Sequence, residues 1–444
     1  MSDPAQPGDV RATTTRRRFL AASAATPLLS ASVAAAATTS TPVSSTSIAE
    51  DLRRYVEFGN KQSGGPGDEA CGAWLESELS QAGFQTERQY FSSPWFEAVT
   101  AELATGEVSV PVWPQPIVQT TPAEGITAPI VRVDSQGLAS QPINGAIALV
   151  DLAHARWSSM FWDGVASPVR AAFEGGAAAC VIVTNGPSGG VIALNTDGRQ
   201  PLYPRPMALL APQDAAPFLA AAMQGGQARL TLTGQGGRRQ AFNLVGKLDR
   251  GSGRSLVVST PRSGWFTCAG ERGGGIAAWL HIARWASRAA PEYDLVFVCN
   301  SGHEYQYLGA EELLHNAAPS PQSTAFWLHL GANLAARDWH EAVGGRRPLP
   351  GTDSQRYLVV SPELLGTAQE EFSGLAGLEA PYASDVLSAG ELTNVIEAGY
   401  APVAGIFGVH RFHHVAEDDA RCVSADDVAI TTAAFQRLLE RALT

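Results

Sequence analysis

The 444-residue sequence has no excess of basic residues, which excludes one broad class of function. Its 31 Lys and Arg are outnumbered by 43 Asp and Glu, so the formal net charge is −12. A protein that binds nucleic acid or an anionic membrane needs a basic face to displace counterions. We therefore expect no nucleic-acid partner and no charged membrane partner, and we interpret the acidic surface as serving solubility.

Long apolar runs and paired cysteines are also scarce. Beyond the first 37 residues no stretch could span a bilayer, so we expect no stable membrane insertion once the leader is removed. The cysteines are odd in number, and none forms a short pair of the kind that binds metal. We interpret all of them as free thiols that are buried as small apolar side chains. They are Cys71, Cys180, Cys268, Cys299 and Cys422.

Common motifs of other catalytic classes receive no support from the sequence. The one run with the letters Gly-x-Ser-x-Gly, 186–190 (Gly-Pro-Ser-Gly-Gly), is not followed by a helical pattern and so does not indicate the nucleophile elbow of a serine hydrolase. The run Gly273-Gly274-Gly275 lacks the Lys-Ser/Thr end of a phosphate-binding loop and the spacing of a dinucleotide fingerprint. The sequence therefore gives no support to either chemistry.

The N-terminus has the pattern of an export signal. Residues 15–20 (Thr-Arg-Arg-Arg-Phe-Leu) match the twin-arginine pattern, and the weakly apolar, Ala-rich run 21–37 offers small-residue cleavage sites. We predict a twin-arginine signal peptide over 1–37, a Ser/Thr-rich linker over 38–47, and export to the periplasm or the medium. Twin-arginine substrates fold in the reducing cytoplasm before they cross the membrane. Free cysteines are therefore expected in such a protein.

The rest of the chain contains two kinds of sequence. Its length predicts two or three globular units. Residues 48–108 begin with helical periodicity, whereas 109–236 are short β-rich runs punctuated by Pro and Gly. Residues 237–444 contain nearly continuous apolar runs on either side of a helical segment, which is typical of parallel strands in a βαβ unit. We predict one α/β domain from 48–108 and 237–444, interrupted by an insert over 109–236.

The insert contains a recognisable pattern. The run 169–183 reads as a helix, a Gly stop and a buried strand, and the run 143–150 as an earlier strand. Together they resemble the protease-associated domain. The resemblance implies a β-rich insert that frames a neighbouring active site, and the alternative is a small β domain with no catalytic relevance.

The C-terminal part carries a more specific motif. Residues 413–419 (His-His-Val-Ala-Glu-Asp-Asp) resemble the Tyr-His-Thr-Pro-Glu-Asp-Thr loop of the zinc aminopeptidase and glutaminyl cyclase family. The family's other motifs occur in the same order over most of 48–443. The resemblance implies a three-layer α/β sandwich around a mostly parallel mixed sheet, the zinc exopeptidase fold, and a hydrolase that acts on peptide-like or other small polar substrates.

The resemblance also implies a ligand set. In the family one zinc is held by a bridging Asp, the second Glu of a Gly-Glu-Glu strand end, and the last His. These positions are Glu271, Glu304 and His414, which all keep ligand chemistry. The second zinc would need ligands at Thr260 and Gly331, which offer none of the usual kind. We therefore expect one zinc ion, for which two carboxylates, one imidazole and an open fourth position are suitable.

The residue at the family's general base is changed as well, from Glu to His303. An imidazole there could take or deliver a proton near neutral pH. His329 lies two residues before Gly331 and therefore on the same face of its strand. The alignment puts Arg262 and Arg272 near the missing metal, where a guanidinium could replace its charge and hold an anionic group. The catalytic candidates are His303, Arg262, Arg272 and His329.

Three functions remain open on this sequence. The leading hypothesis is an exported aminopeptidase-like hydrolase that acts on a peptide-like or amide substrate through one zinc. The lost ligands and the lost Glu base also fit an inactive pseudo-peptidase that binds a peptide or glycan. A third hypothesis is a metal-free acid/base enzyme, for example a lyase, that uses His303 and its neighbours.

Overall fold

Apolar strands build one large mixed sheet in the computed structural model, which describes residues 42–444, and two strands within 337–352 form a separate two-stranded sheet. The predicted signal peptide over 1–37 lies outside the described residues. The described strands are β1 (Gln85–Thr105), β2 (Val108–Pro111), β3 (Trp113–Pro114), β4 (Ile126–Val133), β5 (Ile147–Asp151), β6 (Ala179–Val183), β7 (Met207–Leu210), β8 (Gln227–Leu248), β9 (Ser255–Pro261), β10 (Asp294–Asn300), β11 (Thr324–Leu330), β12 (Arg337–Ala342), β13 (Gly345–Thr352), β14 (Arg356–Val360), β15 (Tyr382–Ala383) and β16 (Val403–Gly408).

Helices cover this sheet. The described α-helices are α1 (Ser45–Glu57), α2 (Pro66–Gln81), α3 (Asp163–Glu174), α4 (Ala216–Met223), α5 (Gly274–Ala289), α6 (Leu308–Asn316), α7 (Leu365–Glu371), α8 (Glu391–Glu397) and α9 (Ala425–Ala442). Helix α1 begins at Ser45, two residues before the predicted end of the linker at residue 47. The reason is an N-cap that the linker prediction missed, because the Ser44 hydroxyl accepts a hydrogen bond from the Ser47 backbone N–H.

The half of the sheet that contains β9 to β11 is mostly parallel. Strands β16, β11, β9 and β10 are neighbours in that order and run parallel, and they are flanked by the antiparallel strands β14 and β8. All seven residues of β9 are buried, as expected of a central strand that is covered on both faces. The predicted mixed, mostly parallel sheet is confirmed.

Alternation along β9 divides the two hydrophobic layers. Val258 packs into a core that includes Trp279 of α5 and Phe435 of α9. Val257 points the other way, into a core that includes Leu313 of α6 and Val395 of α8. Helices therefore cover both faces of the sheet, which is the predicted three-layer arrangement.

The predicted insert continues the sheet. Strand β8 crosses the predicted boundary at 236/237 and forms a long antiparallel ribbon with β1, which ends before the other boundary at 108/109. Strands β4, β5, β6, β7 and β3 follow beyond β8. The structure contains the helix, Gly stop and strand of the run 169–183, as α3, Gly175 and β6. The assignment to a protease-associated domain remains a prediction.

The parallel strands determine where functional side chains collect. The loops that leave the carboxyl ends of β9, β10, β11 and β16 meet at one edge of the sheet. Each of these loops contains at least one of the residues identified from the sequence as a candidate site position. None of the described helices is long and apolar enough to cross a membrane.

Candidate active site

Backbone strain is concentrated in these four loops. Within residues 42–444, six residues other than glycine have a positive φ, and all six lie in the loops after β9, β10, β11 and β16. Such conformations cost about 1–3 kcal/mol each and are retained where the surrounding structure enforces them, often at functional sites. The six are Phe266, Cys268, Gln306, Tyr307, Asn333 and His414.

A group of metal-ligand type lies in this region. One ligand atom from each of Glu271, His413 and His414 can be chosen so that all lie within 4.8 Å of one another, and all three residues are buried. Glu271 belongs to a π-helical turn, Ala269–Gly273, that follows β9. The carboxylate of Asp418 fixes this turn, because it accepts hydrogen bonds from the Gly270 and Glu271 backbone N–H groups at 2.7 and 3.1 Å.

The hydrogen bonding of His414 fixes its tautomer. Its Nδ1 lies 2.8 Å from the Ala193 carbonyl oxygen, which can only accept, so Nδ1 carries the proton. In the neutral ring Nε2 then presents a lone pair to Glu271 Oε1, at 3.2 Å. Two acceptor atoms that face each other require a second proton or a metal ion between them. Imidazoles that bind metals commonly donate their other N–H to a carbonyl, as His414 does to Ala193.

Two more buried polar atoms of these residues have no partner. Glu271 Oε2 and His413 Nδ1 are buried without a hydrogen-bond partner. The His413 ring stacks on that of His414 at 3.9 Å between ring centroids, and its Nε2 contacts the Ser158 hydroxyl at 3.2 Å. Buried polar atoms without partners are rare in proteins, and a site that binds an ion is one usual explanation.

Arg272 adds a fixed positive charge. Its Nη2 lies 2.6 Å from Glu271 Oε1 as an ion pair, but neither terminal nitrogen makes a hydrogen bond of good geometry. Burial alone would raise the pKa of Glu271, but the charges of Arg272 and the two imidazoles hold that pKa well below its ordinary value. Arg272 was predicted to replace the charge of a missing metal, and its position beside Glu271 is consistent with that prediction.

The donors present fit one metal ion. One carboxylate and two imidazoles form a known set for catalytic zinc, and Glu271, His413 and His414 provide it. A second divalent ion near this group would be repelled by the Arg272 guanidinium. The resemblance predicted Glu304 in place of His413, and the structure groups the atoms differently.

Glu304 is held by other partners. Its Oε1 accepts a hydrogen bond from the Ser63 backbone N–H at 2.6 Å, and its Oε2 accepts one from the Ser263 hydroxyl at 2.7 Å. Burial raises the pKa of Glu304 to about 7, although both hydrogen bonds oppose this shift. Its contacts are those of a group that braces the loop after β10, since both oxygens are used within the protein.

A cavity of about 370 Å³ opens beside Glu271, His413 and His414, which we call the Glu/His group. His303, His329 and His413 all line it, together with Gly331 and Tyr307. Ligand pockets in proteins usually have volumes of this order or somewhat larger. Three of the nine histidines in the sequence therefore line one cavity.

His303 is oriented by a carboxylate that the sequence analysis did not identify. Its Nδ1 lies 3.0 Å from Oε1 of Glu391, the first residue of α8, and Glu391 Oε2 accepts a hydrogen bond from the Asn300 amide at 2.9 Å. Burial would raise the pKa of Glu391, but the hydrogen bonds from His303 and Asn300 help to keep that pKa below its ordinary value. The carboxylate therefore fixes the proton on Nδ1 and leaves His303 Nε2 free.

Burial also keeps the His303 ring neutral. Desolvation, followed by the charge of Arg272, lowers the pKa of His303, and Glu391 only partly opposes this. A neutral imidazole whose Nδ1 proton is held by a carboxylate is the arrangement of a general base. The catalytic role of His303 remains a prediction.

Thr260 and Gly331, which stand where the second zinc would need ligands, have structural roles instead. The Thr260 hydroxyl donates a hydrogen bond to the Leu330 carbonyl at 2.7 Å. A Cβ at Gly331 would lie 2.3 Å from the Ile406 carbonyl oxygen, so no Asp can occupy this position without a backbone shift. His329 on the same strand lines the cavity instead.

Arg262 does not contribute to the cavity. It is fully buried, with Nε 2.9 Å from Asp68 Oδ1, and it donates to the carbonyls of Cys299 and Phe242 at 3.0 and 2.7 Å. Its donors are therefore used within the protein. The prediction that Arg262 stands in the site and holds an anionic group is not supported by these contacts, because β9 directs this side chain toward α2 rather than toward the cavity.

Two residues of the site were missed in the sequence. His413 had a signal, since it precedes His414 within the recognised motif, but the resemblance assigns only one His to the metal. Glu391 had none, because it is 88 residues from His303 in the sequence and becomes its partner only through the packing of α8.

Comparisons with known proteins agree with this architecture. No protein-family model matches the chain, and no curated protein does so either. Among solved structures it is similar to a zinc aminopeptidase of Bacillus subtilis, with 15% identity, a TM-score of 0.67, and coverage of 89% of this chain and 95% of the other. It is also similar to a peptidase precursor of Shewanella amazonensis, with 17% identity, a TM-score of 0.70, and coverage of 90% and 93%.

A third similar structure is an aminopeptidase of an Aneurinibacillus strain, with 16% identity, a TM-score of 0.61, and coverage of 89% and 94%. At these identities the similarity establishes the fold. The chain therefore has a zinc exopeptidase fold, as its motifs predicted.

Proposed function

We propose that the protein is an exported hydrolase that cleaves an amide bond in a peptide-like substrate, with His303 as general base beside a single zinc site. The observation that carries this proposal is the shared cavity. His303, whose Nδ1 is held by Glu391, and His413, which belongs to the Glu/His group, line the same space. An acid/base residue and a metal-ligand group would thus act on one bound molecule.

The residues of the chain account for the proton transfers. The free Nε2 of His303 accepts a proton from a water molecule as its oxygen bonds to the amide carbon. When the C–N bond breaks, the same nitrogen returns that proton to the leaving amine. Because burial keeps the ring neutral, His303 is ready to accept at neutral pH.

Glu271, His413 and His414 would hold the metal. A zinc ion bound there would supply Lewis-acid activation of water and of the carbonyl oxygen. Asp418 and the Ala193 carbonyl would keep two of these ligands in place, since they bond to the Glu271 backbone and to His414 Nδ1.

Export by the twin-arginine route is part of this proposal. The five cysteines all lie within the described residues, and each is a free, buried thiol. Such a protein has no disulfide to form after export, which suits transport in the folded state.

One observation favours a metal-free acid/base enzyme instead. Arg272 already supplies a cation to the Glu271 carboxylate, at 2.6 Å. If that ion pair satisfies the site, His303 and Glu391 would act without zinc. Zinc content and zinc dependence separate the two functions.

Hydrolysis of a substrate panel tests the proposal. Zinc-supplemented protein would be assayed against amino-acid p-nitroanilides with free and with acylated amines. We expect turnover that falls by about 10²- to 10⁴-fold in His303→Gln, because the proton acceptor is lost. His315→Gln, at an exposed position of α6, is the matched control and should keep full activity.

Equal activity of wild type and His303→Gln would overturn the role of His303. Absence of turnover with every panel member would reject this substrate class.

A further inference from the structure

We propose that His329 is a further catalytic residue, whose neutral imidazole donates a hydrogen bond from Nε2 to the substrate carbonyl oxygen as that oxygen gains negative charge. This inference rests on the proposed amide hydrolysis, because it concerns the oxygen of the same reacting carbonyl. Its structural basis is a hydrogen-bond chain that fixes the tautomer of a cavity-lining ring.

The hydrogen-bond chain begins at a tryptophan. Trp327 is buried in β11, and its indole Nε1 lies 2.8 Å from the Ser259 hydroxyl oxygen. An indole N–H can only donate. The Ser259 oxygen therefore accepts this hydrogen bond, and its own proton must be directed elsewhere.

His329 is the remaining partner of that hydroxyl. Its Nδ1 lies 2.9 Å from Ser259 Oγ, and the described residues provide no other acceptor for the Ser259 proton. Ser259 is buried, so a hydroxyl proton without an acceptor would cost about 1–3 kcal/mol. The hydroxyl thus donates to Nδ1, and the neutral His329 ring carries its proton on Nε2.

This proton is on the side of the ring that faces the cavity. His329 and Gly331 both line the cavity, and a Cβ at Gly331 would lie 3.4 Å from His329 Nε2. Among the described residues no protein atom accepts a hydrogen bond from this nitrogen. A substrate oxygen in the cavity could therefore receive it.

The ring also stays in the donating form. Burial lowers the pKa of His329 to about 4, and the charge of Glu391 only partly opposes this shift. It therefore remains neutral at neutral pH, and a neutral imidazole can act as an electrophilic hydrogen-bond donor in catalysis. His303 offers a bare nitrogen to the same cavity, so the two rings have opposite hydrogen-bonding roles.

The tautomer can be measured without a substrate. Nitrogen-15 NMR of histidine-labelled wild-type protein should show the His329 proton on Nε2, with His329→Gln identifying the signal. In Ser259→Ala the preference should weaken, because the hydroxyl donor is gone. A wild-type ring protonated on Nδ1 would overturn the inference and would leave the proposed function intact.

A binding measurement tests the catalytic role. The probe is 2-phenylethylboronic acid, whose tetrahedral boronate resembles the charged intermediate. We expect wild type and His329→Gln, which keeps an N–H donor, to bind it within about tenfold of each other. His329→Leu should bind it at least tenfold more weakly, while His340→Leu, at an exposed position, should not differ from wild type.

Turnover gives the second readout. With any p-nitroanilide that the wild type hydrolyses, His329→Leu should lower kcat by about 10²- to 10³-fold with little change in KM, as for other oxyanion donors. Equal boronate binding or equal kcat in His329→Leu would overturn the role. If wild type hydrolyses no panel member but boronate binding still depends on His329, the proposed function fails and the hydrogen-bond donor stands.

Discussion

One buried partner fixes the tautomer of each of two histidines that line the cavity. Glu391 holds the proton of His303 on Nδ1, and Ser259 holds that of His329 on Nε2. The sequence predicted both histidines as catalytic candidates, because they lie at or near strand ends. It did not predict the partners, since each depends on packing between distant parts of the chain.

Loss of Glu391 should change both the rate and its pH dependence. Glu391→Gln removes a negative charge that raises the pKa of His303, so that pKa should fall further. The base is active when deprotonated, and the acidic limb of the rate profile should therefore move to lower pH. The maximal rate should fall about 10- to 100-fold, because the ring is less firmly oriented.

The control for this measurement is Glu397→Gln, an exposed change at the far end of α8. A limb that moves to higher pH in Glu391→Gln, or a profile identical to that of Glu397→Gln, would contradict the pairing.

Arg262 should matter for stability and not for chemistry. Arg262→Met leaves the carboxylate of Asp68 buried without its partner, which should lower the free energy of unfolding by about 3–5 kcal/mol. Denaturant unfolding would measure this. Arg421→Met breaks an exposed ion pair with Asp419 and should change stability by no more than about 0.5 kcal/mol. Similar effects of the two substitutions would show that the buried pair is not structural.

At the scale of elements, the sequence predicted what periodicity and apolar runs determine. Strands β9, β10 and β11 and helix α5 follow from such runs, and the parallel sheet follows from their order. The ribbon of β1 and β8 was not predicted, because the middle of β8 is largely exposed and has no apolar pattern. The strained loops were not predicted either. Their positive φ angles occur at residues other than glycine, which rarely adopt such angles and so give no sequence signal.

The short turn that carries His303 and Glu304 gives a stability prediction. Glu304 titrates at about 7 in the folded chain and near 4.5 in the unfolded chain. Between these pH values the folded state binds more protons, so stability should decrease as pH rises from about 4.5 to 7. The decrease from this group is about 3 kcal/mol, at 1.36 kcal/mol for each pH unit.

Unfolding of wild type and Glu304→Gln across this range isolates the contribution. The variant should lose less stability than wild type as the pH rises. Glu363→Gln, at an exposed position, should follow the wild-type curve. Parallel curves for wild type and Glu304→Gln would mean that Glu304 titrates normally.

The whole molecule combines both predicted parts of the chain in one cavity. Ser158 and Trp162 of the predicted insert line it together with His303 and His413 of the predicted α/β domain. The order of motifs predicted the fold of the α/β part, which the structure confirms. The ligand set could be predicted only in part. A motif assigns sequence positions, but the path of the backbone determines which side chains come together. His413 therefore joins Glu271 and His414, and Glu304 does not.

The central claim is that Glu271, His413 and His414 hold one zinc ion. Elemental analysis of protein purified without chelator tests it most directly, with Glu271→Gln and the double variant His413→Gln/His414→Gln as comparisons and Glu363→Gln as the control. The account predicts about one equivalent of zinc in wild type and control, and less than about a tenth of an equivalent in the ligand variants. Wild-type protein with less than about a tenth of an equivalent, and no gain of zinc or activity on zinc addition, would contradict it.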